Sequence, residues 1–227
     1  MNIVAIGHRG AKGLYKDNSV RSILSAKLLD LDMIEIDVQL TKDDIFILYH
    51  DNYIQSYFIE NPKEICDIEY SELLAEDICT LNKGLGYILT GEPCVPYLDL
   101  KIPDSKLQDE KYMKYYGDRL MEFLMEDNKE TIFLASFHKE LIDYLMSKKC
   151  AHNFLFGYIY EKGEIPTVEQ LIKKVDVYVF HYEDAATEVD TLKFVYTVNE
   201  EDDIKKMVEL GVDGIVSDYP QKVVSLR

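Results

Sequence analysis

Along Met33–Gln39 the side chains alternate with a period of two. Glu35 and Asp37 share one face, and Ile34, Ile36 and Val38 share the other, the pattern of a strand. An apolar run at Asn2–Ile6 predicts a strand before it, ending in Gly7-His8-Arg9-Gly10. Asp17-Asn18-Ser19 is an N-cap cluster for a helix over Val20–Leu31, with Ile23, Leu24, Ala26, Leu28 and Leu31 largely on one face. After a turn at Asp43-Asp44, the apolar run Ile45–Tyr49 delivers His50-Asp51. Residues 52–77 are polar and irregular, with a short helix expected near Tyr70–Ala75 and another over Thr80–Leu89. Pro93–Leu100 reads as a strand that carries Asp99 and ends at Lys101.

From there the alternation is regular. Helices are expected over Lys106–Asp127, Lys139–Lys148, from Pro166-Thr167 to Lys174, near Ala185–Val189 and over Glu200–Leu210. Strands are expected at Thr131–Ala135, Asn153–Tyr158, Asp176–Phe180, Lys193–Val198 and Gly214–Val216. Sequential strand–helix units imply parallel strands, and close to eight of them imply a (β/α)8 TIM barrel with an insertion at about 45–90, after the second strand. A doubly wound open sheet is the competing fold. No G-x-G-x-x-G or G-x-x-x-x-G-K fingerprint supports a nucleotide-binding version of it. No composition break or linker divides the 227 residues, so one domain spanning 1–227 is expected.

Composition narrows the partners. The net charge of −17, from 25 basic against 42 acidic residues, argues against nonspecific binding to nucleic acid or an anionic membrane. A small anionic substrate must then be met by local cations. The N-terminal run lacks a basic segment and a long apolar core, so no signal peptide is expected. No stretch approaches the ~18 apolar residues of a membrane span. Cys66, Cys79, Cys94 and Cys150 show no C-x-x-C spacing, which favours free thiols in a reducing cytoplasm over a disulfide framework.

In a barrel the functional rim lies at the C-terminal ends of the strands. Those positions carry His8 and Arg9, Glu35 and Asp37, and Asp99 and Lys101, with His50 entering from the insertion. Three carboxylates without thiolates suit a hard divalent cation such as magnesium or calcium. Two histidines suit a general acid and a general base, and Arg9 and Lys101 are phosphate donors. The set reads as metal-assisted phosphoester chemistry.

Over nearly its whole length the chain resembles the glycerophosphodiester phosphodiesterase family. H-R-G is intact at His8-Arg9-Gly10, and E-N-T appears as Asp17-Asn18-Ser19. E-x-D is intact at Glu35-Ile36-Asp37, followed by Thr41-Lys42-Asp43 for T-x-D-G and by His50-Asp51 for H-D. I-P-T-L-E-E-x-L survives in part at Ile78–Leu85, E-x-K appears as Asp99-Leu100-Lys101, and S-F as Ser136-Phe137. The closing T-V-N and G-V-D-G-I-x-T-D-x-P match Thr197-Val198-Asn199 and Gly211–Pro220. The resemblance implies one divalent cation, magnesium or calcium with manganese as a further candidate, held by Glu35, Asp37 and Asp99. It implies His8 and His50 as the acid–base pair on a small phosphodiester, and Arg9, Lys101 and Tyr196 as substrate contacts. In the family's route the glycerol 2-hydroxyl attacks phosphorus and a cyclic phosphate is then hydrolysed.

The departures are specific. Asp17 and Asp99 replace glutamates, and the shorter Asp99 retracts its carboxylate by roughly 1.5 Å. Asp44 replaces a turn glycine, and Tyr196 stands where an aromatic, often Trp, precedes T-V-N. Two alternatives stay open on the sequence: a barrel serving another phosphodiester, of cell-wall or lysophospholipid type, or a non-catalytic barrel. The oligomeric state is not encoded in any of these features.

Overall fold

The computed structural model describes residues 3–54, 62–125, 130–148, 153–173 and 175–226. Asn2, Asp127, Cys150 and Lys174, which the sequence reading places in elements or among the thiols, lie outside the described residues. Eight parallel strands close into a barrel: β1 Val4–Gly7, β2 Met33–Leu40, β4 Val95–Leu100, β5 Ile132–Ser136, β6 Phe154–Ile159, β7 Val177–His181, β8 Leu192–Tyr196 and β9 Gly214–Ser217. β1 pairs with both β2 and β9, which closes the ring. Around it run α1 Val20–Lys27, α2 Leu81–Ile88, α3 Glu110–Met125, α4 Lys139–Ser147, α5 Val168–Lys173, α6 Glu201–Glu209 and α7 Pro220–Val224.

The pleat decides what the barrel encloses. Ile6, Met33, Tyr97, Phe133, Ala135, Ile159, Val177, Val179, Phe194 and Val216 pack together in the interior. Ile34, Ile36, Val38, Leu98 and Leu134 belong to the larger core between the strands and the helices. Because successive side chains alternate faces, the parity of the inner set extends upward. Two residues beyond Ile6 stands His8, beyond Ala135 Phe137, beyond Val179 His181, beyond Phe194 Tyr196, and beyond Val216 Asp218. Tyr97 continues to Asp99 and Lys101, and Met33 to Glu35, Asp37 and Gln39. The interior is dry at its base and ionisable at its C-terminal mouth.

The insertion grows from the geometry of β2. β1 pairs only with Met33 and Ile34, then breaks away at Gly7, so the upper edge of β2 is free. β3, Phe46–Leu48, folds back antiparallel onto it, with Val38 opposite Leu48 and Leu40 opposite Phe46. Two 3-10 turns, Ile65–Asp67 and Tyr70–Glu76, follow around a small core of Ile47, Ile54, Ile65, Ile68 and Leu73. Leu81–Ile88 then packs as the barrel's second helix, burying Leu81, Leu85 and Ile88 in the main core. The excursion therefore closes near residue 80, sooner than the 90 read from sequence.

Several helices differ from expectation in their ends. α1 stops at Lys27, where the amides of Leu28 and Leu29 turn back to Ser25 and Ala26 and Asp30 takes a left-handed φ of 55°. Leu28 is consequently 87% exposed instead of facing the core, while Leu31 is buried by the following turn. α3 starts at Glu110, later than Lys106, because Asp109 Oδ1 accepts from the amides of Lys111 and Tyr112 and fixes the first turn. The helix expected near Ala185–Val189 is absent from those described residues; a single 3-10 turn at Tyr182–Asp184 takes its place. Among the described residues no helix is long and apolar enough to cross a membrane.

Candidate active site

β2 and β4 pair with Glu35 opposite Tyr97 and Asp37 opposite Asp99. Two carboxylates therefore meet side by side on the inner face, with Glu35 one pleat below. Glu35, Asp37 and Asp99 are all buried and offer oxygen atoms that lie within 4.8 Å of one another. So close a set of buried charges needs cations. Lys101 supplies one, with Nζ 2.5 Å from Asp99 Oδ2 and 3.1 Å from Asp37 Oδ1. Arg9 supplies the other: its Nε lies 3.1 Å from Asp37 Oδ2, and its Nη1 donates to Asp17 Oδ2 at 3.0 Å.

The loop after β1 is shaped for this approach. A side chain at Gly7 would lie 2.4 Å from the carbonyl oxygen of Gly10, and Gly10 itself has a φ of +86°, so both positions require glycine. The turn aims the Arg9 amide at Glu35 Oε2, 2.7 Å away. Asn18, buried and at a left-handed φ of 53°, clasps Asp37 twice. Its Nδ2 donates to Asp37 Oδ2 at 2.8 Å, and its Oδ1 accepts from the Asp37 amide at 3.1 Å.

These contacts divide the acids electrostatically. Burial works against the charge of Asp37, but Lys101 and Arg9 outweigh it and hold the carboxyl at about 2. Burial, reinforced by Asp37 and Asp99, pushes Glu35 well above the carboxylate range. Burial also raises Asp99, against the pull of Lys101. Asp99 Oδ1 is buried and has no hydrogen-bond partner among the described residues. An all-oxygen cluster that shares too much negative charge and leaves one buried oxygen unpartnered fits a hard divalent cation. The shorter side chain of Asp99 is still close enough to join the cluster.

The histidines occupy different surroundings. His8 is mostly buried, with Nδ1 2.6 Å from Asp218 Oδ1. His50 is more open, its side chain 40% exposed, with Nδ1 2.7 Å from Asp51 Oδ1. Its loop is pinned by Gln39, whose Nε2 donates at 2.9 Å to the carbonyls of both Tyr49 and Asp51. His50 lines a cleft of about 1060 Å³ together with Lys101, Phe137 and Tyr196. The Tyr196 hydroxyl donates to the Tyr160 carbonyl at 2.7 Å, so this residue offers its ring, set edge-on to Phe137. Lys101 Nζ also stands 5.1 Å from the Phe137 ring centre.

Asn18, Gln39, Asp218 and Asn199, whose Nδ2 donates to Asp218 Oδ2 at 2.9 Å, carry much of this order, and none of them is a site candidate on the sequence. Asn18, Asn199 and Asp218 lie inside quoted motifs and Gln39 ends the opening strand, but only contacts across the barrel reveal what they hold.

The model of the glycerophosphoryl diester phosphodiesterase family matches residues 8–222. The glycerophosphodiester phosphodiesterase of Caldanaerobacter subterraneus subsp. tengcongensis is 26% identical over 100% of this chain and 98% of its own. That of Bacillus altitudinis is 29% identical over 97% of this chain and 96% of its own. Among solved structures, a phosphodiesterase from Oleispira antarctica in complex with the product sn-glycerol-3-phosphate superposes with a TM-score of 0.77. It is 23% identical and covers 97% of this chain and 94% of that one. The glycerophosphodiester phosphodiesterase of Thermotoga maritima gives a TM-score of 0.78 at 20% identity, covering 100% and 99% of the two chains. The chain belongs to the glycerophosphoryl diester phosphodiesterase family and, with it, to the phosphoric diester hydrolases.

Proposed function

We propose that this chain is a metal-dependent glycerophosphodiester phosphodiesterase, releasing an alcohol and glycerol phosphate by acid–base catalysis from His8 and His50. The observation that carries the reading is the convergence of Glu35, Asp37 and Asp99, with Asp99 Oδ1 unpartnered among the described residues, at the mouth that also holds both histidines. Those three residues would hold one divalent cation, magnesium or calcium, with manganese a further candidate. When bound, it supplies charge to offset the phosphoryl oxygens and the pentacovalent transition state.

The remaining chemistry belongs to the chain. The substrate brings its own nucleophile, the glycerol 2-hydroxyl, so no serine or cysteine is required. One histidine accepts its proton as the new O–P bond forms. The ester P–O bond breaks toward the departing alcohol, whose oxygen takes a proton from the other histidine. Hydrolysis of the cyclic phosphate runs the two histidines in reverse and resets them. Lys101 and Arg9 keep Asp37 ionised and ready to ligate, and the Phe137 and Tyr196 rings wall the cleft beside the reacting group. A role for Tyr196 as a ring contact to the substrate, with its hydroxyl tied to Tyr160, follows from this arrangement.

A small diester in this cleft is also consistent with the net charge of −17, which argues against nucleic acid as the partner. Free Cys66, Cys79 and Cys94 are consistent with a cytoplasmic protein. The test is turnover of glycerophosphocholine by the wild type and by His8→Ala and His50→Ala. Each substitution is expected to lower kcat by about 100-fold or more with the fold intact by circular dichroism. Full activity in either variant overturns the assignment. Turnover confined to other diesters moves the substrate and not the chemistry.

A further inference from the structure

We propose that Gln39 is a positioning residue: its side-chain amide fastens the peptide groups on both sides of His50 to β2 and so fixes where that ring stands beside the carboxylate cluster. This rests on the reading of His50 as a proton-transferring residue and adds to it the group that sets its place.

β2 carries the cluster and the fastening on one face. Glu35, Asp37 and Gln39 follow one another at the spacing of the pleat, and Gln39 is 1% exposed. β3 parts from β2 after Leu48, opposite Val38. The Tyr49 amide still donates to the Asp37 carbonyl at 3.2 Å, and the chain then bends at His50 and Asp51. It is caught again at Asn52, whose carbonyl accepts from the Ile65 amide at 3.1 Å. His50 therefore sits in a span between two anchored points. Gln39 Nε2 reaches into that span and donates to the carbonyls of Tyr49 and Asp51, at 2.9 Å each. Carbonyl oxygens only accept, so the group facing them is the NH2, and both of its hydrogens are used.

The bond between His50 and its neighbour does a different job. Asp51 Oδ1 lies 2.7 Å from His50 Nδ1, but the two residues are adjacent and the carboxylate is 67% exposed. That contact turns the ring relative to its own peptide, whereas the amide of Gln39 sets the peptide relative to Asp37. Because the carboxylates and the staple share one strand, a shift of β2 carries both, and their separation is kept. Packing alone does not account for Gln39. Its Oε1 is buried and has no hydrogen-bond partner among the described residues, a state that costs stability. An unbranched apolar side chain would fill the place without that cost and would give up both donors.

The experiment sets Gln39→Met, which keeps the length and removes the donors, beside His50→Ala and the double variant, on glycerophosphocholine with saturating divalent cation. Gln39→Met is expected to lose about tenfold to 100-fold in kcat, with KM changed less than about threefold, the signature of a displaced reacting group. In the His50→Ala background the same substitution should cost less than about twofold, because no ring is left to misplace. Manganese binding, read from the free-ion EPR signal, should be unchanged. An equal loss of kcat in both backgrounds, or manganese binding weakened in step with kcat, would put the effect on the carboxylates and overturn the proposal. Undiminished kcat in Gln39→Met would overturn it too. A second readout needs no turnover. The imidazole proton resonance of His50, assigned by its loss in His50→Ala, should shift or broaden in Gln39→Met while that of His8 does not; an unchanged His50 resonance contradicts the staple. If Gln39→Met does not fold, Gln39→Asn, whose donors fall one methylene short, is read by the same criteria. A wild type inert on glycerophosphocholine would sink the proposed function, and the resonance alone then decides the staple.

Discussion

The ammonium of Lys101 lies 2.5 Å from Oδ2 of Asp99, one pleat along the same inward face. The pair spans the end of β4, where the backbone brings i and i+2 together, and Asp37 faces the same ammonium from β2 at 3.1 Å. Burial works against the Lys101 charge, but Asp99 and Asp37 raise its pKa regardless. Lys101 thus counts first as the internal counter-ion of the carboxylate cluster. Lys101→Met is expected to destabilise the metal-free protein by about 3 kcal/mol, the cost of stranding buried charge. Much of that loss should return on saturation with magnesium or calcium. Urea unfolding in EDTA and in excess metal measures both values; equal losses in the two media contradict the counter-ion role.

Asp218 should shape the acid limb of stability. Its folded pKa of about 2 lies below the ordinary 3.8, so its stabilisation is complete above about pH 4 and is lost as pH falls through about 2. Since the group is partly wet, a contribution of about 1 kcal/mol is expected after screening. Asp218→Asn should therefore be less stable than wild type at pH 6 and should converge with it near pH 2. Unfolding curves across that range check the convergence.

The large cleft predicts a charge preference. Asp51, Asp104, Asp109, Glu110, Glu140 and Glu161 line it, while Lys101, its one lysine among the described residues, is already paired with Asp99 and Asp37. Diesters of an anionic alcohol are expected to show kcat/KM at least about tenfold below those of a cationic or neutral alcohol at low salt. The gap should narrow as ionic strength rises. Asp104→Asn combined with Glu161→Gln should shrink it further. A gap indifferent to both salt and substitution would locate the selectivity elsewhere.

Asp44 tests the cost of a missing glycine. Its φ of 62° is left-handed, a conformation that costs an L-residue about 1 kcal/mol. Its carboxylate is also used: both oxygens accept from the Tyr115 hydroxyl, at 2.5 and 2.6 Å. Asp44→Gly should therefore be nearly neutral in the wild type and stabilising by about 1 kcal/mol in a Tyr115→Phe background. Thermal melts of the four proteins in the cycle give the coupling directly.

Where a residue's surroundings are local, the sequence reading reached them. The acids of β2 announced themselves by period, and the strand–helix alternation gave the barrel. Leu28 misled because its spacing matched a helix that ends one residue earlier; helix ends are set by turns such as Asp30, which leave no periodic trace. The helix over Thr80–Leu89 is legible in the sequence, but its place in the barrel and not in the insertion rests on distant contacts, such as Gly84 lying close to Leu48 and Ile23 in the core. Asp218 and His8 are 210 residues apart. Nothing in the spacing of either predicts that β1 and β9 are neighbours; the closure of the barrel creates the contact.

Metal-dependent hydrolysis of a glycerophosphodiester is tested by removing the metal and restoring it. The protein is stripped with EDTA, its turnover of glycerophosphocholine is followed by phosphorus NMR, and magnesium, calcium or manganese is then restored. The expected result is no release of glycerol phosphate from the stripped protein, recovery on adding back at least one of these ions, and no recovery in Glu35→Gln. Turnover that EDTA leaves unchanged would contradict it, as would a protein that binds the ion and hydrolyses no glycerophosphodiester.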